Sequence, residues 1–151
     1  SVSTLTVTRV EAFRLPLIRF FSEIREKSTK LNMQGENYFN LSKNFPGYVP
    51  PYIPSGFTVV EFDEGEMSFF IRYLNEDNSQ EYYFYYFDNL STKTMDTEEA
   101  DVVETEIYGN KVYTVEKHNE VRVLMYKNMH QLYLRGSIPL EEAYKILESI
   151  K

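Results

Sequence analysis

The sequence predicts an α+β domain: a twisted antiparallel β-sheet of about six or seven strands, with an N-terminal helix and a C-terminal helix packed on it. Three observations carry this expectation. Over most of 57–135 apolar and polar side chains alternate in short runs, the period of half-buried strands. Most joins between those runs are short and rich in turn formers, so successive strands are antiparallel neighbours in a meander. A helical period occurs once before this region and once after it, which fits helices laid on a sheet. The 151 residues are read as one domain, long enough to bury roughly 70% of the surface exposed by the unfolded chain.

Taken in order, residues 1–10 read as a lead. Ser1 to Thr8 is rich in Ser and Thr with Leu5 and Val7 in alternation, compatible with a short strand or an unstructured start. Pro16 suits the first position of a helix, where its missing donor costs nothing. Leu17, Phe20, Phe21 and Ile24 follow at i, i+3, i+4 and i+7, an amphipathic helix to about Lys27. Residues 37–56 hold Pro46, Pro50, Pro51, Pro54 and five aromatics. Proline fixes its own φ and lacks a donor, so this stretch is an ordered connector and not a strand.

Strands are expected at 58–62, 68–74, 80–87, 102–108, 111–117, 121–127 and 129–135. Gly109-Asn110 between Tyr108 and Lys111 is a two-residue hairpin signal, and the six glycines are read as turn residues. The acidic segment 88–101 is the long exception among the joins and the expected flexible one. In 138–150, Pro139 at the entry and Glu141 and Glu142 in the first turn suit the positive end of a helix dipole. Leu140, Ala143, Leu147 and Ile150 then form the stripe that docks on the sheet.

Composition excludes several function classes. There is no cysteine and there are two histidines, His118 and His130, so disulfides, thiolate metal sites, cysteine nucleophiles and three-imidazole sites are ruled out. Both histidines are read as ordinary surface or edge residues. The net charge of -7 argues against nucleic acid, which needs clustered Lys and Arg. That charge is uneven: +3 over 1–35, zero over 36–60, -12 over 61–106 and +2 over 107–151. Acidic loops of this kind keep a strand-rich protein soluble, while a basic start suits a segment leaving an anionic membrane. No stretch is apolar enough for the ~20 residues of a bilayer span. The start at Ser1 instead of Met leaves room for a leader or membrane anchor upstream.

No Gly-x-Ser-x-Gly elbow, P-loop or Gly-rich dinucleotide turn occurs, and the acidic run Glu98, Glu99, Asp101, Glu104, Glu106 lacks the spacing and glycine of a calcium loop. No catalytic residue, metal ligand or cofactor is therefore expected, and the chain is read as not an enzyme. The most unusual stretch is Glu81-Tyr-Tyr-Phe-Tyr-Tyr-Phe, ending at Phe87. Alternation puts Tyr83, Tyr85 and Phe87 on one face and Tyr82, Phe84 and Tyr86 on the other. A strand aromatic on both faces is covered on both, by the rest of the domain or by a ligand or partner. Tyr82, Phe84 and Tyr86 are the candidate ligand-binding residues.

Pro51-Tyr-Ile-Pro-Ser-Gly-Phe, the hairpin Ile107-Tyr-Gly-Asn-Lys-Val-Tyr and the ending Leu132-Tyr-Leu-Arg-Gly-Ser-Ile-Pro-Leu-Glu-Glu-Ala-Tyr-Lys-Ile-Leu-Glu-Ser-Ile resemble a bacterial domain-of-unknown-function family, number 4367, common in Gram-positive genomes. Glu11-Ala-Phe-Arg-Leu-Pro-Leu-Ile-Arg-Phe-Phe looks like the segment that follows the membrane span in such proteins. Departures are Ser55, where the family usually has Glu, and Met129-His130-Gln131, where a turn with Asp or Gly is more usual. The resemblance implies an extracytoplasmic domain of a membrane-anchored, anti-sigma-factor-like regulator. On that basis the expected function is non-enzymatic sensing or protein interaction. The alternative is a binding or carrier module for an apolar ligand, a lipid or cell-wall fragment, seated on the aromatic strand. The expected partner is accordingly an unidentified protein or an apolar ligand, with membrane contact only through a segment before Ser1.

Overall fold

The computed structural model describes residues 2–8, 29–33, 41–88 and 101–151. The helix expected over 16–27 and most of the acidic segment 88–101 lie outside the described residues. Nine strands form one antiparallel sheet: β1 Val2–Thr8, β2 Thr29–Met33, β3 Phe57–Glu64, β4 Ser68–Asn75, β5 Glu81–Phe87, β6 Val102–Ile107, β7 Asn110–Lys117, β8 Glu120–Lys127 and β9 His130–Gly136. Among the described residues one α-helix, α1, spans Leu140–Glu148. Seven of the strands are those expected from the alternation, with ends moved by one or two residues. The Ser/Thr-rich start forms β1, and β2 is a strand the sequence reading did not include.

The spatial order is β1-β6-β7-β8-β9-β5-β4-β3-β2. The single meander expected over 57–135 is therefore two, β2 to β5 and β6 to β9, joined where β5 pairs with β9 (Tyr82 opposite Gly136, Phe84 opposite Leu134, Tyr86 opposite Leu132). β6 does not neighbour β5, because the long 88–101 connection frees it from the adjacency that short joins impose. The consequence for β5 is an interior position, with β4 on one side and β9 on the other. Such a position suits a strand that is apolar on both faces.

Three tight hairpins join the β6 to β9 meander. Their two central residues all have positive φ: Tyr108 and Gly109, His118 and Asn119, Asn128 and Met129. This is the mirror-image turn whose twist matches that of the strands it connects. The first hairpin sits one residue earlier than expected, since Ile107 pairs with Asn110 and the Asn110 side chain donates to the Ile107 carbonyl at 3.1 Å.

Each sheet face carries its own core. On the first, Phe69, Ile71, Tyr73, Tyr82, Phe84, Tyr86, Val123, Met125, Leu132 and Leu134 pack with Ala143, Ile146 and Leu147 of α1 and Ile150 beyond it. Burying each large apolar side chain contributes about 1.5 to 3 kcal/mol, so the docked helix is integral to the fold. The proline-rich stretch lies on this same face, through Leu41, Phe45, Tyr48, Val49, Tyr52 and Ile53. It is pinned at its start by Glu64, which accepts from the Ser42 hydroxyl and from the backbone of Lys43 (3.0 Å) and Asn44 (3.3 Å). Farther along, the Tyr52 hydroxyl donates to Glu142 on α1 at 2.6 Å. On the second face Phe70, Tyr83, Tyr85, Phe87, Val102, Val115, Leu124 and Tyr133 form a separate buried cluster.

Candidate functional site: an arginine and tyrosine row across the second face

The candidate residues Tyr82, Phe84 and Tyr86 are 0% exposed. Tyr82 stacks on Tyr73 with centroids 4.2 Å apart and meets Phe57 edge-on at 5.3 Å. Tyr86 is covered by Phe45 and Tyr48 of the connector, each 4.6 Å away. These three side chains belong to the core beneath the connector and α1, and they leave no surface for a ligand in this arrangement.

The opposite face of the same strands presents more polar chemistry. Pairing registers align Glu61 of β3, Arg72 of β4, Tyr83 of β5, Arg135 of β9 and Arg122 of β8 in one row. Arg72 donates from Nε and Nη2 to Glu81 (3.0 and 2.8 Å) and from Nη1 to Glu61 (3.3 Å). Farther along, Arg122 and Arg135 each donate from Nε to the same oxygen of Glu120, both at 2.8 Å. The three guanidinium side chains are 26 to 33% exposed, so the row is half in water. Burial works against charge on Arg72 and Arg135, but the hydrogen bonds and charges of Glu81 and Glu120 outweigh it and hold both above their ordinary pKa. For Glu120 the order is similar. Burial pulls its carboxyl up, and the hydrogen bonds from Arg122 and Arg135 more than reverse this, leaving it below the ordinary carboxylate value.

The next row is aromatic. Phe70, Tyr85, Tyr133, Leu124 and Tyr113 stand opposite one another in turn, with Phe70 stacked on Tyr85 at 5.7 Å and Tyr85 on Tyr133 at 5.6 Å. Burial pushes the Tyr133 phenol up to about 12, against the pull of Arg122 and Arg135. Its hydroxyl is buried without a hydrogen-bond partner. Beside the charged row opens a cavity of about 380 Å³ lined by Glu81, Tyr83, Glu120, Arg135, Gly136 and Ser137.

A second cluster closes the far end of β5 and the start of β9. His130 Nδ1 lies 2.9 Å from Asp88 Oδ1 and 3.0 Å from the Tyr86 hydroxyl, which also donates to Asp88 at 3.3 Å. The Tyr48 ring is 4.9 Å from the imidazole. Burial, and then the charge of Asp88, push the Tyr86 phenol well above its ordinary value, so it stays protonated and serves as a tie between strand end and connector. His130 is thus not the ordinary edge residue that its strand position implied. His118 is a hairpin-turn residue, as expected.

Sequence reasoning missed the charged row because the row is assembled by pairing. A local signal was present: Arg72 and Arg135 are the single Lys, Arg, Asp or Glu of their strands, and Arg122 stands between Val121 and Val123. Bringing them together requires the β5 to β9 pairing, between strands about 50 positions apart in sequence. Among the described residues no group of three or more His, Asp or Glu side chains is arranged to hold a metal ion. No described helix is long and apolar enough to cross a membrane.

Fold and site define a class: a one-sheet antiparallel α+β domain with a helix on one face and a charged, aromatic second face. The chain belongs to the family described as a domain of unknown function (DUF4367), whose model matches residues 47–150. That span takes in the connector from Gly47, strands β3 to β9 and α1. No curated protein and no solved structure matches the chain.

Proposed function

We propose that this chain is a non-enzymatic sensing or protein-interaction domain, held outside the cytoplasmic membrane as part of a membrane-anchored regulator. The observation that carries the interaction reading is the half-exposed row of Arg72, Arg122, Arg135, Glu81 and Glu120. Arginine is enriched where protein partners dock, because its flat guanidinium combines contact area with directional hydrogen bonds. The extracytoplasmic placement rests on the family resemblance and on the net charge of +3 over residues 1–35, which suits chain emerging from an anionic lipid surface. The carrier alternative loses its support, because Tyr82, Phe84 and Tyr86 have no exposed surface.

Labelling tests the placement. The chain has no cysteine, and Glu76 is exposed in the β4 to β5 turn. In the full-length parent protein, Glu76→Cys should react with a membrane-impermeant maleimide in intact cells, at the rate seen after lysis. Protection until the cells are broken would overturn the extracytoplasmic reading.

A further inference from the structure

We infer that the pocket between the β6 to β7 and β8 to β9 turns binds a phosphate monoester, held through Lys127 and Lys151 with its organic group on the Tyr108 ring. The site goes beyond the interaction reading. It lies at one end of the sheet, on residues outside the charged row, and does not depend on where the domain is held. The two turns stand side by side because β7 and β8 are paired neighbours, with Val112 opposite Met125. Between them opens a cavity of about 500 Å³, lined by Tyr108, Asn110, Lys127, Asn128 and Lys151.

The charged side chains of that lining are two lysines, with no carboxylate among them. Lys127 is the unusual one, because it is 8% exposed and lysine is almost never buried unless paired. Its ammonium donates to the Ile150 carbonyl at 3.0 Å, and among the described residues no carboxylate pairs with it. Burial therefore pulls its pKa down, with no neighbouring charge to raise it. An ammonium has three donors, so two remain beside the bond to Ile150. A buried cation without a counter-ion is costly, and an anion entering the cavity would remove that cost.

The ligand class follows from the kind and number of the charges. Lysine acts as a compact point charge with rotatable donors, which suits tetrahedral phosphate oxygens, whereas the planar fork that grips carboxylates belongs to arginine. A phosphate monoester carries about 1.5 to 2 negative charges near neutral pH. That matches two ammoniums, and the lining holds no carboxylate to repel it. Asn128 adds an amide donor, while the Asn110 amide is already committed to the Ile107 carbonyl. Tyr108 is 53% exposed and is the one aromatic residue of the lining, a flat surface for a sugar or apolar ester group. The volume is that of a small-molecule site.

The test is a titration of the isotopically labelled chain, following lysine side-chain and asparagine amide resonances. The probes are phenyl phosphate, inorganic phosphate and benzoate. Phenyl phosphate should shift Lys127, Lys151 and Asn128 saturably. Inorganic phosphate should bind about threefold more weakly for want of the ring contact, and benzoate, with the ring but a single charge, about tenfold more weakly. Lys127→Met should lose more than about tenfold in affinity. Lys151→Gln, at an exposed position that leaves the fold intact, should lose about threefold. Tyr108→Gly, which also relieves a positive φ, should abolish the preference for phenyl phosphate over inorganic phosphate. Lys117→Gln removes the same charge at the opposite end of β7 and should change nothing. Benzoate binding as tightly as phenyl phosphate, no saturable shift, unchanged affinity in Lys151→Gln, an unchanged preference in Tyr108→Gly, or an equal loss in Lys117→Gln would each overturn the site. The last two lysine variants and Tyr108→Gly decide the matter even if Lys127→Met does not fold. A soluble ester and a lipid headgroup share this chemistry, and flotation with phosphatidylcholine vesicles, with and without phosphatidic acid, separates them. Flotation that needs phosphatidic acid and is reversed by phenyl phosphate assigns the lipid, and saturable phenyl phosphate binding without flotation assigns the soluble ester.

Discussion

Gly136 shows how much of this fold depends on a missing side chain. It ends β9, between Tyr82 of β5 and Val121 of β8, and a Cβ built there would sit 2.4 Å from Tyr82 Cβ and 2.5 Å from the Glu81 carbonyl oxygen. Both are fixed atoms of the neighbouring strand, so rotamer changes cannot relieve the clash. Gly136 is therefore a close-approach glycine and not, as the sequence reading had it, a turn residue. Strands β5 and β9 are where the two meanders meet, so a forced separation falls on the joint of the whole sheet. Gly136→Ala should lower stability by about 3 kcal/mol, the upper range for overpacking a core. Urea denaturation measures it, and a loss below about 0.5 kcal/mol would mean that the strands do not approach as described.

The hairpins carry the same logic to the scale of elements. Mirror-image turns need two consecutive positive-φ residues, and glycine and asparagine accept them most readily. The β8 to β9 hairpin instead uses Asn128 (φ 51°) and Met129 (φ 68°), and the Met129 side chain is 71% exposed. Nothing in its packing offsets the steric cost of a Cβ in that region, about 1 kcal/mol or somewhat more. Met129→Gly should thus raise stability by about 1 kcal/mol, read as a higher urea midpoint with unchanged slope. A lower midpoint would show that the methionine side chain contributes contacts of its own. These turns also mark how far the sequence was legible. Strands β3 to β9 and α1 follow from periodicity, and the joins from turn formers. The one-residue shift at Tyr108 and the merging of Met129 into a turn arise because φ is decided by which residues pair across the hairpin. The site was less legible. Tyr82 to Phe87 did prove to be covered on both faces, but which face meets polar chemistry depends on Arg72, Arg122 and Arg135 reaching one row by non-local pairing.

At the scale of the molecule, that row is a set of charges held across β3, β4, β8 and β9 in a protein whose acidic excess lies mainly in 61–106. Glu120 is its most engaged member, accepting from two arginines. Its carboxyl is held below the ordinary value of 4.5 by those two partners, against burial. A depressed carboxyl binds protons less readily in the folded chain than in the unfolded one. It therefore stabilises the fold fully above about pH 4.5 and loses that contribution as the pH falls through its folded pKa. Acidification also neutralises the other carboxylates and relieves their mutual repulsion, an opposing effect spread over the molecule. A pH scan of the parent alone would mix the two, whereas its difference from Glu120→Gln isolates the row. The variant should be less stable than the parent at pH 7, because it leaves two half-buried guanidiniums sharing a neutral amide. The gap should narrow steadily below pH 4.5, as the parent's own carboxyl is protonated and comes to resemble the amide. Urea midpoints of both proteins between pH 7 and pH 3 test this. A gap that stays constant across the range would mean that Glu120 acts through shape and hydrogen bonding, and that charge contributes nothing to holding the row together.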